Sequence, residues 1–436
     1  MCNLFKRTGC ILLLSVFLSS IFIFSACSDS AVNVTESDSV TLKLFSNLPD
    51  RKNGQGLIEQ MVINSYMEEH PGVVIEVESL DEEAYKTKFK AYAMDGMPDI
   101  VSIWGQPAFL DEIIDAGLLM ELSPEDYADY GFKEGAFEGF SKNGRLYGLP
   151  RNTDMIAFYY NKKIFEENDI EMPKNLDDFA KVCEKLNSLS IIPIAMDGMD
   201  GWPLVEYYDN LLLRVTGKGR EKLITNAIEN ADFSDARFYT AMNMLKKDVS
   251  RGFFQPDFAY CDYGTAMSLF TGGNAAMYYM GSWEASMAVN EALGPQFREN
   301  IGVFSMPSHV GRPDSNRDAM VWFGGGYAIS SSTKYPKETV DFLNYMFEPE
   351  HLSKFGWENG VGMSAQDQSA FMTGNETALQ KGWLDILNKA DCISNTPIND
   401  MGSSEFKNAM ESNITRVALG ELSVDEFFKT LEEACR

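Results

Sequence analysis

Six tryptophans and the polar residues near them are where this sequence could do chemistry. Trp104, Trp202, Trp283 and Trp357 each stand beside Gly, Pro or polar residues rather than inside an apolar run. Asn47, Asp50 and Arg51 follow the first strand-like segment, and Gln106 stands two places past Trp104. Asp154 closes the polar break Arg151-Asn152-Thr153-Asp154. Indole faces suit the apolar C–H faces of a ring-shaped solute. Carboxylates, amides and guanidinium groups suit its hydroxyl rim, because a buried hydroxyl must find partners. The pattern therefore implies a cleft for a ring-faced, hydroxylated small molecule.

Other chemistries lack material. The chain has three His, none in an HxxxH pattern, so a zinc site or a nucleophilic triad has little to build on. Cleavage of a glycosidic bond needs two facing carboxylates about 5–10 Å apart, and no dedicated pair stands out. No catalytic residue, metal or cofactor is assigned. The formal net charge is −27, and no Lys/Arg cluster occurs, which excludes holding nucleic acid through its phosphates. Of seven Cys, Cys2, Cys10 and Cys27 lie near the start. Cys183, Cys261, Cys392 and Cys435 show no CxxC spacing. They could pair in an exported protein, and single thiols are the plainer reading.

Residues 1–26 read as a targeting leader and stand outside the fold. Lys6 and Arg7 precede the apolar run Ile11–Phe24, which is shorter than the roughly 20 residues of a membrane span. Phe24-Ser25-Ala26-Cys27 resembles a lipoprotein signal box, with Phe24 where Leu is more usual. Cys27 would then receive lipid and hold the protein at the extracellular face of the cell membrane. An ordinary secretory signal with an incidental Cys is the alternative. The polar residues 27–39 suit a flexible tether.

The elements that must position the candidate residues follow in order. Val40–Phe45 alternates as a strand, and Leu57–Glu69 shows a helical apolar face stopped by His70-Pro71-Gly72. Val73–Val77, Tyr85–Met94 and Pro98–Trp104 continue as strand, helix and strand. This β-α-β-α-β order implies a sheet flanked by helices, with ligands at the carboxyl ends of its strands. Asn143-Gly144 favours a tight turn, and Pro150 forces Leu149 into extended geometry. Met155–Tyr160 has no polar face and reads as a strand buried on both sides. The stretch from Asn143 to Phe165 is thus an extended crossing between two compact units, with Asp154 at their seam. Further strands are expected at Ile191–Met196, Ala275–Met280 and Ile301–Pro307, and helices at 203–215, Tyr263–Thr271 and Lys337–Phe347. A length of 436 residues and an apolar fraction of 45% fit a globular protein with more than one core.

Several strings together resemble the family 1 extracellular solute-binding proteins, the carbohydrate-binding lipoproteins of bacterial ABC importers, similar to maltose-binding protein. They are Tyr147-Gly148-Leu149-Pro150, Tyr159-Tyr160-Asn161-Lys162-Lys163-Ile164-Phe165, the HPGVVIEVES and DGMPDIVSIW stretches, and Gly281-Ser282-Trp283 after GGNAAM. Pro173–Phe179 is similar to the family's helix start, with Asn175 for Thr and Leu176 for Trp. The resemblance covers roughly residues 40–430. It implies an α/β, two-lobe periplasmic-binding-protein-like fold of type II, with three hinge crossings. The crossings would lie at Asn143–Phe165, at Gly281–Trp283, where helix amides could donate to a ligand, and at Trp322–Ile329. Lobe I would comprise 40–150 and 278–325, and lobe II 151–277 and 326–436. The implied ligand is a sugar or oligosaccharide, and the implied partners are the permease subunits of an ABC importer, the protein acting as a monomer without catalysis. The expected ligand-binding set is Asn47, Asp50, Arg51, Trp104, Gln106, Asp154, Trp202, Gly281, Trp283, Gly324, Gly325 and Trp357. A secreted glycoside hydrolase, or a binding protein for a polyamine or similar solute, remains the alternative.

Overall fold

Two sheets organise residues 39–436, the part of the chain that the computed structural model describes. The expected leader, the lipid site Cys27 and the tether up to residue 38 lie outside the described residues. The main strands are β1 (Val40–Ser46), β2 (Val73–Ser79), β3 (Ile100–Trp104), β4 (Leu149–Pro150), β5 (Thr153–Asn161) and β6 (Ile192–Ala195). They continue with β7 (Ala275–Gly281), β8 (Ile301–Phe304), β9 (Asp318–Phe323), β10 (Gly325–Ile329) and β11 (Cys392–Ser394). The first sheet has the order β2-β1-β3-β10-β4. The second has the order β11-β9-β5-β7-β6, with β8 also on β5.

In the first lobe β1 lies parallel to β2 and β3, and helices Gly54–Glu69 and Glu82–Asp95 make the crossovers. Asp81 starts the second of these helices by accepting from the Ala84 amide, and Gly96 ends it at φ 124°. Leu42, Leu44, Ile58, Val62, Ile100 and Tyr327 fill the core between them.

In the second lobe β5 is the central strand. Ile156 and Phe158 point into one core, while Met155, Ala157 and Tyr159 point into another. A strand without a polar face is accommodated this way, with helices covering both sides of its sheet. Asn175 caps helix Leu176–Ser188 by accepting from the Asp178 amide at 2.9 Å, as its type allows. The four cysteines of the described residues, Cys183, Cys261, Cys392 and Cys435, are free thiols.

The chain leaves the first sheet at Pro150 and enters the second at Thr153. It returns between Phe323 and Gly325, so the run Trp322–Ile329 is split between two sheets by Gly324. These two passages lie side by side, with the Arg151 amide donating to the Gly325 carbonyl and the Gly324 amide to the Asn152 carbonyl. A third segment runs beside them: the Thr153 amide donates to Met363 and the Ala365 amide to Arg151. Gly360 and Gly362, at φ 69° and 56°, bend the chain into it.

One expectation is corrected here. Residues 278–325 do not build the first lobe, because β7, β8 and β9 all hydrogen-bond within the second sheet. The chain makes no passage at Gly281–Trp283, and Ser282–Ala288 is a 3₁₀ turn rather than an α-helix. Conversely β10 and helix Pro336–Phe347 pack on the first core, so residues after 326 begin in the first lobe. The physical reason is that Ala275–Met280 is buried on both faces and fits the interior of either sheet. Its local pattern does not say which.

The second lobe also holds a buried ion pair that shapes the site. Arg220, only 1% exposed, places Nε 2.6 Å from Asp209 and Nη2 on the other carboxylate oxygen. Asp209 also accepts from the Ile398 amide at 2.8 Å, tying helix Trp202–Thr216 to the turn Ile398–Asp400. Removing one partner of such a pair leaves an uncompensated buried charge. Arg220→Ala is therefore expected to cost about 3–5 kcal/mol in urea unfolding. A loss below about 1 kcal/mol would show that water replaces the guanidinium there.

Candidate functional site

The seam between the sheets gathers the polar residues. Asp154 pairs in register with Trp322, and its carboxylate lies against the Gly324 backbone. A Cβ on Gly324 would stand 1.7 Å from Asp154 Oδ2, so only glycine fits. The Arg151 guanidinium, the Gly325 amide and the Asn152 side chain stand beside the carboxylate and favour its charged form. Burial outweighs these, and Asp154 is pushed up to about 7. Gly325 is constrained as well, since a Cβ there would meet Arg151 Nη2 at 2.8 Å.

Arg151 begins a buried relay. Its Nη1 donates to Tyr327 Oη at 2.9 Å, and Tyr327 donates to Glu59. Glu59 also accepts from Ser46 Oγ at 3.0 Å and from Arg51. Arg51, expected as a ligand contact, is thereby joined to the seam through Glu59, and Gln60 takes its remaining donors. Asp50 is turned to its own loop, accepting from the amides of Lys52 and Asn53 and from Asn53 Nδ2. Asn47 is half-buried, its amide donating to Ser102 Oγ, and Gln106 is buried at the start of helix Pro107–Asp115. Lys133 bridges the passages by donating to Thr153 Oγ1 and to the Ser364 carbonyl. Burial pulls Lys133 down to about 8.

The tryptophans divide between the lobes. Trp202, Trp283 and Trp322 form one group, with ring centroids 5.9 and 6.2 Å apart. Trp283 Nε1 donates to Tyr263 Oη at 3.0 Å, and Tyr263 donates to Glu284. Trp202 and Trp283 are half-buried, leaving part of each indole open. Gly281 lets the Trp283 ring lie on the chain, because a Cβ there would be 2.1 Å from that ring. The close approach expected at Gly281 is therefore made by the protein's own indole. Trp104 belongs to the other lobe, packed edge-on to Tyr85 and Phe109, with Lys86 Nζ 5.7 Å above its ring. It pairs in register with Gly325, one strand over from the seam. Trp357 is 4% exposed, and its carbonyl accepts from Gln380 Nε2. It stands apart from both groups as a packing residue.

Charged groups line the space between the lobes. Glu82 from the first lobe acts on Asp154, and Lys86 acts on Glu411 and Lys407 of the second. Lys407 is bound to Asp400 at 2.5 Å and lies 3.4 Å from Glu411. Ser404 Oγ donates to Glu112 across the lobes at 2.5 Å. Trp104 ends β3, Asp154 stands near the start of β5, Trp283 follows the end of β7, Trp202 opens the helix after β6, and Gly324 and Gly325 stand where the chain passes between the sheets. Sequence reasoning passed over Arg151, Trp322, Tyr263, Glu284 and Glu206. Glu206 had a signal that it shares with Asp209: each is an acid in the otherwise largely apolar stretch Leu204–Leu213, where burial of a charge demands a reason. Trp322 lay inside a strand pattern and carried none.

Residues 49–351 match the family model of the bacterial extracellular solute-binding proteins. A multiple sugar-binding protein of Streptococcus mutans is 26% identical over 360 residues, 80% of each chain. A solved structure from work on xylan utilisation by Caldanaerobius polysaccharolyticus superposes with TM-score 0.81 at 22% identity, covering 90% of this chain and 99% of that one. A chitin oligosaccharide binding protein superposes with TM-score 0.79 at 22% identity, covering 91% and 98%.

The raised Asp154 carboxyl sets a pH dependence. Unfolded, it titrates near 3.8, and folded near 7, so the folded state holds the proton more tightly. Its contribution to stability is full below about pH 4 and lost as pH rises through about 7. Asp154→Asn should remove that loss. The difference between the variant and wild-type melting curves is expected to grow in the variant's favour from pH 5 to pH 8. Parallel curves would show that Asp154 is ionised throughout.

Proposed function

This chain belongs to the bacterial extracellular solute-binding proteins, and from that premise we propose that it binds a sugar or oligosaccharide between its lobes and delivers it to an ABC permease. What supports this reading is the half-buried pair Trp202–Trp283, with Asp154 at the seam and Trp104 paired in register with Gly325. Stacked indoles take the apolar faces of a pyranose, and the carboxylates take its hydroxyls. The sugars for which its relatives are named point to the same class. The passages at 151–153, 323–325 and 363–365 serve as the hinge on this reading. A ligand that touches both lobes favours the closed form and shifts its population, which a permease can sense. Cys27 bears the lipid that holds the protein, as a monomer, at the outer face of the cell membrane.

The test is a thermal-shift screen of the protein without its leader against mono- and oligosaccharides, with spermidine as the charged control. A saccharide at 100 times its dissociation constant should add about 2.7 kcal/mol of stability. Trp283→Ala should weaken that saccharide by roughly 30-fold or more, a loss of about 2 kcal/mol typical of a central aromatic anchor. A shift with spermidine and none with any saccharide would move the assignment to a cationic solute. For the anchor, Cys27→Ala is expected to move the expressed protein from the membrane fraction into the medium or the soluble fraction. Retention on membranes would refute lipidation at that residue.

A further inference from the structure

Resting on the sugar-binding reading, we infer that Glu206 is the specificity-determining acid of the cleft: it accepts a hydrogen bond from a neutral or amine-bearing saccharide and keeps acidic sugars out. Glu206 lies four residues after Trp202 on helix Trp202–Thr216, so the two side chains share a face. It is 5% exposed, and no donor of the protein reaches its Oε2. The groups that face it are known from each neighbouring element. Asp209 is on its own helix, Asp400 on the turn Ile398–Asp400, Lys407 on helix Ser404–Leu419, and Asp154 on β5. Glu411 stands behind Lys407.

The available cations are already engaged. Arg220 clamps Asp209. Lys407 is held by Asp400 and Glu411, and Arg151 donates to Tyr327. Glu206 is left as a buried carboxyl among three other acids, and burial with that repulsion pushes it well above the usual carboxylate range. A buried acceptor without a donor is costly to keep, and such a departure from good packing is expected where function requires it. A hydroxyl or ammonium group of a bound saccharide supplies the missing donor. A uronate would bring another carboxylate into a group of acids whose ionisation burial and mutual repulsion already oppose, and is disfavoured.

The test compares wild type with Glu206→Gln, both checked for native circular dichroism. Calorimetric titration uses matched neutral, 2-amino and uronate forms of the sugars that stabilise the wild type. Wild type should bind the neutral and amine forms at least tenfold more tightly than the uronate. Glu206→Gln should lose tenfold or more for the neutral form, lose more for the amine form, and narrow the gap to the uronate. Without ligand at pH 8, the variant should melt higher than wild type, since it no longer buries a carboxyl that ionises more readily in the unfolded chain. Unchanged binding by the variant, or equal wild-type affinity for the uronate, overturns the assignment. If no saccharide stabilises the wild type, the sugar reading fails by itself. The assignment of Glu206 as an acid kept for a donor is then decided by the ligand-free melts, and a variant no more stable than wild type overturns it.

Discussion

Everything at the seam depends on a close approach between the Asp154 carboxylate and the bare backbone of Gly324. One strand supplies the acid and the facing strand has no side chain, so the two passages can lie in hydrogen-bonding register. The acid is buried, and Arg151 is the cation that keeps it tolerable. Arg151 in turn leans on Tyr327, Tyr327 on Glu59, and Glu59 on Arg51. A charge at the seam is thereby coupled to the loop after the first strand, and the first lobe's floor is set by the same network. A side chain at Gly324 would disturb both sheets at once, because the chain changes sheets at that residue.

The two lobes bring unequal materials to the space between them. The second contributes the tryptophan group and most of the carboxylates, while the first contributes Trp104 and the Lys86–Glu82 pair. On the proposed function, the second lobe would hold most of the aromatic surface of a sugar, and contact with the first would reward closure. The direct contact between Ser404 and Glu112 lies outside that aromatic group and needs no ligand. Differential contact, rather than total contact, is what converts binding into a change of shape.

The acids of the cleft run against the rules of a stable interior. Asp154 and Glu206 are buried and share a neighbourhood, and Glu206 Oε2 has no donor. Elsewhere in the same lobe the rules are kept: Asp209 is fully met by Arg220 and the Ile398 amide. The contrast between two acids three positions apart on one helix separates a structural carboxylate from one left open.

Much of the fold was legible from residue order. The strand and helix assignments of the first lobe, the buried character of Met155–Tyr160, the cap at Asn175 and the crossing after Pro150 all rest on local signals. Side-chain periodicity, turn chemistry and capping act over a few residues, so they can be read from the sequence. Candidate residues stand out where an acid closes a polar break, as with Asp154, or where a large aromatic stands near Gly or Pro, as with Trp202 and Trp283. Trp357 shares that signature and is packed away, since the same residue types also serve cores. The sequence by itself determined a chain of two α/β units with aromatic and acidic residues near its strand ends. Only the tertiary structure decided that residues 275–323 stay in the second sheet, that Gly324 seats Asp154, and that Glu206 is buried with Oε2 unpartnered. Those outcomes depend on which strands pair across more than a hundred residues, and an apolar strand buried on both faces has no local feature that selects its neighbours.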